Sequence, residues 1–179
     1  MFIPGNSRKC GKQGLVVQWQ CGLLKATGYR RLCEWVHSSG GHVPDTAVPG
    51  GVDSGEAIYV GRAVHDGDVI PGKIVPSHNV CYIPHNGQEH AHHTYQVLVS
   101  LDDSQFDWIP EAHGKLPPGA VQGGVNEDGE PLYIGRTEHN ETLTIGKIQC
   151  SHGVLYIPYG GAEIPYSDYE VLVCRTVNF

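Results

Sequence analysis

The sequence predicts an all-β fold in which two tandem antiparallel β repeats pack into one compact, pseudo-symmetric body. The stretch from Trp35 to about Leu101 recurs from Trp108 to about Val177, which marks a tandem duplication. With 24 Gly, 12 Pro and a single Met, the chain is poor in helix formers and rich in turn residues between short β-branched and aromatic runs. Apolar residues also alternate with polar ones where one face must be buried, as in Tyr95, Val97 and Val99 against Gln96, Leu98 and Ser100, with Leu98 breaking the pattern.

The two copies align at a constant offset apart from one inserted residue. Trp35-Val36 matches Trp108-Ile109, Gly50-Gly51-Val52 matches Gly123-Gly124-Val125, and Tyr59-Val60-Gly61-Arg62 matches Tyr133-Ile134-Gly135-Arg136. Further on, Gly72-Lys73-Ile74 matches Gly146-Lys147-Ile148, and Tyr82-Ile83-Pro84 matches Tyr156-Ile157-Pro158. We divide the chain into a basic extension at 1–34, a first repeat at 35–103 and a second at 104–179. The extension reads either as a poorly ordered leader or as an additional edge strand.

Four strands are expected in each copy. In the first they lie near Ala57–Val64, Val69–Val75, Asn79–Pro84 and Thr94–Leu101; in the second, near Pro131–Glu138, Thr142–Gln149, Gly153–Pro158 and Tyr169–Arg175. The Asp66-Gly67 pair between strand runs is a hairpin signal. His139-Asn140-Glu141-Thr142 holds the same place without the glycine. The Gly- and Pro-rich stretches Val36–Gly55 and Ile109–Gly129 read as loops, where binding residues concentrate on β scaffolds. A single four-stranded sheet leaves one apolar face open, so the second copy is expected to supply a covering sheet.

The net charge of −7 is unevenly placed. Six of the 12 basic residues precede Trp35 against one acid, Glu34, leaving 6 basic and 18 of the 19 acidic residues in the body. Such a body repels a phosphate backbone, so nucleic-acid binding is not expected. The six cysteines lack a C-x-x-C pair and do not correspond between copies, which points to free thiols in a reducing compartment. No run approaches the ~20 apolar residues that span a bilayer, and the early apolar stretch is broken by Gln18 and Gln20. The expectation is a cytoplasmic protein, or one released or displayed by an unconventional route.

In the first loop a Gly-Gly-Val turn delivers Asp53, and a Gly-Lys pair follows at Lys73; the second copy offers Asn126 and Lys147. A carboxylate and an ammonium at these places either pair with each other or address a polyhydroxylated ligand. A sugar diol both donates to a carboxylate and accepts from an ammonium. Hydrogen bonds to charged groups contribute about 1.5–3 kcal/mol each, on the scale of weak monosaccharide binding.

The succession of Trp-Val, a Gly/Pro loop, Val52-Asp53, Tyr59-Val60-Gly61-Arg62, Pro71-Gly72-Lys73, Tyr82-Ile83-Pro84, Gly87-Gln88-Glu89-His90 and Tyr95-Gln96-Val97-Leu98-Val99 resembles the DM-nine repeat family, which includes natterin-like proteins. The resemblance spans about four-fifths of the chain. It implies an all-β, calcium-independent, mannose-binding lectin of innate immunity, often dimeric, with Asp53 and Lys73 on the sugar and Asn126 and Lys147 as second-copy equivalents. Mannose-containing microbial glycans are the implied partners. No cofactor and no membrane insertion are implied, and a natterin-type pore-forming toxin is not expected. Asn126 replaces a charge by an amide, the inserted residue makes Glu127 or Asp128 an alternative acid, and Ile145 stands where the first copy has Pro71.

Other residues were weighed against structural roles. His85, His90, His92 and His93 crowd one segment, but the second copy has Tyr159 to Tyr166 there, so a solvated or acid-responsive loop is expected in preference to a metal site. Arg62 and Arg136 read as ligand contacts or as ion-pair partners of Glu89 or Glu163, and Trp35 and Trp108 as core anchors in preference to sugar platforms. No nucleophile has a positioned base: Cys81 lies near His78 and His85, but its counterpart is Leu155, and no enzyme activity is expected. The competing class is an intracellular protein-interaction scaffold without sugar binding.

Overall fold

Residues 31–101 and 104–175 are described by the computed structural model. The basic extension up to residue 30, with Cys10 and Cys21, lies outside the described residues. Seven strands follow in the first half: β1 (Cys33–Ser39), β2 (Pro49–Asp53), β3 (Glu56–His65), β4 (Asp68–Val75), β5 (Val80–His85), β6 (Gln88–His92) and β7 (Thr94–Ser100). The second half repeats the order with β8 (Gln105–Ala112), β9 (Gln122–Val125), β10 (Pro131–His139), β11 (Thr142–Gln149), β12 (Val154–Tyr159), β13 (Ala162–Tyr166) and β14 (Asp168–Arg175). One 3-10 turn precedes β5 and another β12, each closed by a left-handed residue, Asn79 or Gly153.

All the pairings are antiparallel and join into one sheet, correcting the expectation of two sheets facing each other. Pairings of β2 with β3, β3 with β4, β4 with β9, β9 with β10, β10 with β11 and β11 with β2 close a six-stranded ring, three strands from each half. Closure leaves the ring strands paired on both sides, and the free edges of the sheet fall on β1 and β8. The ring has two seams between the halves, Val52↔Leu143 and Val69↔Val125. The β5–β6 and β12–β13 hairpins extend from it and meet at Gln88↔Ala162, while β1–β7 and β8–β14 flank β3 and β10.

The Gly-Gly-Val turns are what let the seams form. A Cβ on Gly51 would lie 1.8 Å from the Leu143 carbonyl oxygen, and one on Gly124 would lie 1.8 Å from that of Val69. Only a residue without a side chain admits backbones that close. The two turns therefore sit in strands β2 and β9, where the sequence suggested loops, and β1 and β8 likewise occupy parts of those segments. Strand β6, Gln88–His92, also escaped the sequence reading because it carries no apolar alternation.

An arginine clamps each seam. The Arg62 Nε donates to Gln96 Oε1 at 2.7 Å and an Nη reaches the Gly123 carbonyl at 3.2 Å. Arg136 mirrors this with Glu170 at 2.7 Å and the Gly50 carbonyl at 3.2 Å. Neither binds Glu89 or Glu163, so that expectation is corrected. The guanidinium carbons lie 4.2 Å above Trp35 and 4.3 Å above Trp108, giving the tryptophans a cation–π role beside their packing against Val60, Leu98, Ile134 and Ile145. Burial lowers the Arg62 pKa to about 10. Cys33, Cys81, Cys150 and Cys174 are free thiols.

Candidate functional site

Lys73 lies mid-strand on β4, paired to β3 at Val60 and to β5 at Tyr82. That register holds its stem inside the sheet, and the residue is only 3% exposed. An ammonium so withdrawn from water requires a counter-charge. Asp53, at the end of β2, supplies it: Lys73 Nζ donates to Asp53 Oδ2 at 3.1 Å. The second Asp53 oxygen accepts from Ser54 Oγ at 3.0 Å. Ser54 is held there by a left-handed backbone with φ +51°.

Two aromatic rings wall the pair. Lys73 Nζ is 4.9 Å from the Tyr159 ring centroid and 5.8 Å from that of Tyr82. Tyr159 comes from the second half of the chain, so the first site is assembled across the duplication. The Tyr82 hydroxyl is 3.1 Å from His78 Nδ1. Burial raises the Tyr82 pKa, and the negative charges of Glu89 and Asp53 raise it further. The phenol therefore stays protonated and able to donate.

The second site does not copy the first. Lys147, 5% exposed, lies 2.9 Å from Glu163 Oε1 as an ion pair without hydrogen-bond alignment. Its ammonium is 5.4 Å from the Tyr156 ring. Asn126 is turned elsewhere: its Oδ1 accepts from the Glu130 backbone N–H at 2.7 Å, capping its own loop. Glu127 donates its backbone N–H to Asp68, and among the described ion pairs neither Glu127 nor Asp128 takes part. The structure thus brings Asp53 and Lys73 together and leaves Asn126 and Lys147 apart.

Sequence reasoning missed Glu163 as the partner of Lys147. Its counterpart Glu89 was visible in the repeated Gly-x-Glu pattern, and the two glutamates clasp reciprocally. Glu163 Oε2 accepts from the Gly87 N–H at 2.7 Å, and Glu89 Oε2 accepts from the Gly161 N–H at 2.8 Å. The first site therefore has Asp53 as well as a neighbouring glutamate, the second a glutamate alone. Two open surface depressions, one lined by Val52 and residues 138–143 and the other by Pro49, Trp108 and Arg136, contain neither lysine.

Chemically, each site offers a fixed carboxylate oxygen beside an ammonium with donors to spare and a tyrosine face. Such a donor–acceptor set matches, in chemistry, a neutral ligand that donates and accepts at adjacent atoms, although both lysines are buried.

Comparison with known proteins gives a consistent picture. The chain is 29% identical over 141 residues to Natterin-4 of Thalassophryne nattereri, covering 78% of this chain and 33% of that protein. It is 27% identical over 161 residues to Natterin-1 of the same fish, covering 87% of this chain and 41% of that protein. The chain thus spans less than half the length of these relatives. The nematode sperm cell motility protein MFP2B shares the fold, with a TM-score of 0.64 over 89% of this chain and 51% of that chain, at 17% sequence identity. A family model, the DM9 repeat, matches residues 52–166, which contain both seams and both lysine sites, and the chain belongs to the DM9 repeat family.

Proposed function

We propose that the protein is a calcium-independent lectin that binds mannose or mannan-type glycans, with its primary site at Asp53 and Lys73. The observation that carries this reading is the 3.1 Å pair between Lys73 Nζ and Asp53 Oδ2 beneath the Tyr159 ring. Vicinal sugar hydroxyls fit such a pair, one donating to the carboxylate and its neighbour accepting from the ammonium, while the ring covers an apolar C–H face. No step in this recognition requires a cation.

Lys147 with Glu163 forms a second, non-identical site of the same class, and Asn126 supports its neighbouring loop. Two sites on one chain permit crosslinking, and a homodimer would double them, so agglutination of mannose-bearing microbes and pattern recognition in innate immunity follow as roles.

Titration with D-mannose, with and without a calcium chelator, tests the reading. Saturable, chelator-insensitive binding abolished in folded Asp53→Ala and Lys73→Ala variants is the expected result. Absence of binding by the wild-type protein would reject it in favour of the protein-interaction scaffold.

A further inference from the structure

The first half of the chain carries a histidine cluster that the second half lacks. His65 ends β3, Asp66 follows in the hairpin turn, His85 ends β5, and His90 and His92 lie on β6. The His65 ring centroid is 4.0 Å from that of His90, 5.1 Å from His85 and 5.2 Å from His92. Four imidazoles thus converge from three strands. The sequence showed three of them; His65 is distant in the chain and is added by the β3–β4 hairpin.

Their polar atoms are only partly satisfied; His85 Nε2 lies 3.0 Å from Asn86 Nδ2 on an exposed turn, a contact that a metal ion would displace. The His92 Nε2 is buried without a hydrogen-bond partner. His90 Nε2 lies 3.1 Å from the His85 carbonyl, an atom that can only accept, so in a neutral His90 the other ring nitrogen holds a lone pair. One donor atom from each of His65, Asp66 and His85 falls within 4.8 Å of the other two. Ligand atoms around a tetrahedral ion stand about 3.3 Å apart, given metal–nitrogen bonds of about 2.0–2.1 Å. Small side-chain rotations close the difference, because Asp66 sits on an exposed turn.

A supporting carboxylate is also in place. Asp68 Oδ2 lies 3.6 Å from His85 Nδ1, and Asp68 Oδ1 is fixed by the Glu127 backbone N–H at 2.7 Å. Histidine ligands commonly lean on such a carboxylate, which orients the ring and raises its basicity. In the second half the corresponding place holds His139 with Tyr159 and Tyr166, and His139 Nδ1 is engaged by the Tyr166 hydroxyl at 2.5 Å. The departure from pseudo-symmetry therefore consists of imidazoles replacing phenols and an aliphatic side chain.

We propose that His65, Asp66 and His85, with His90 and His92 against them, form a binding site for a borderline divalent transition-metal ion such as Zn2+. Imidazole donors favour Zn2+, Ni2+ and Cu2+ over Ca2+ and Mg2+. The inference is independent of the carbohydrate reading.

The test is calorimetric titration of the metal-stripped full chain with ZnCl2 and, separately, CaCl2. One saturable Zn2+ site per chain is expected, with no response to Ca2+. Affinity should fall by about tenfold or more in Asp66→Asn, which keeps an amide suited to the left-handed turn, and in His65→Gln and His85→Gln. His139→Gln, at the matching place, should bind as wild type. No saturable Zn2+ binding, or affinity unchanged in every one of the three variants that stays folded, would overturn the proposal.

Discussion

The ammonium of Lys147 lies 2.9 Å from the carboxylate of Glu163, while the side chain of Asn126, its expected partner, caps the Glu130 N–H. The side chains of both ions are less than a tenth exposed. Removing one partner of such a pair leaves a buried charge and typically costs about 3–5 kcal/mol. Glu163→Ala should destabilise the protein by about that much, and Asn126→Ala by about 1 kcal/mol for one lost loop hydrogen bond. Urea denaturation of the two variants checks the ranking; equal losses would contradict it.

At the first site, Asp53→Asn keeps the shape and an acceptor but removes the charge. Charge-assisted hydrogen bonds are roughly twice as strong as neutral ones, so mannose affinity should fall by about tenfold. Glu163→Gln leaves the Asp53–Lys73 pair in place, so affinity at that site should fall by less than it does in Asp53→Asn. Titration of both variants against the same sugar distinguishes the two sites.

Gly51 and Gly124 each face a carbonyl oxygen across a seam. An added methyl at either place would lie 1.8 Å from that oxygen, so the strands must part. Overpacking costs typically about 1–3 kcal/mol, and a clash with backbone belongs at or above the upper end. Thermal unfolding of Gly51→Ala and Gly124→Ala should show similar large losses, because the two places are equivalent.

The β10–β11 turn uses two consecutive left-handed residues, Asn140 at φ +45° and Glu141 at φ +64°. Asparagine tolerates this conformation and glutamate does not. Left-handed backbone costs a side-chain-bearing residue about 1–2 kcal/mol. Glu141→Gly should therefore stabilise the protein by about 1 kcal/mol, reproducing the Asp66-Gly67 turn of the first half. A lower melting temperature for the variant would count against this account.

Glu130 gives the fold an acid limit. Burial pushes its pKa up, but hydrogen bonds from the Ser151 N–H and hydroxyl and from Gln149 outweigh that and leave it lowered. A carboxylate with a folded pKa below its unfolded value contributes stability in full above the unfolded value, near 4.5. That contribution is lost as pH falls through the folded pKa. Wild-type stability should decline below pH ~4.5, and in Glu130→Gln that part of the decline should be missing. Denaturation midpoints measured across the acid range provide the check.

Much of the fold was legible because the duplication repeats polar and glycine positions together with apolar ones. The strands Ala57–Val64 and Val69–Val75 announced themselves through β-branched alternation and an Asp-Gly turn. Asp53 and Lys73 were legible as a pair for the same reason. The rest depends on long-range placement. Gly51 reads as a loop residue until Leu143 is known to lie across from it, and Gln88–His92 has no apolar side to declare a strand. Glu163 reaches Lys147 from a different hairpin, and Tyr159 covers Lys73 from the opposite half. His65 joins three histidines that follow it by twenty or more residues.

The reciprocal seams also bear on the order of events during folding. Neither half can satisfy the edges of its own three-stranded arc, because β2 waits for β11 and β4 waits for β9. Ring closure thus rests on non-local pairings, the kind that slows folding. A half expressed alone would carry two open edges suited to a second copy of itself. In that sense the chain is a two-fold symmetric dimer whose subunits have been fused end to end, after which each half was free to diverge: one toward imidazoles, the other toward phenols.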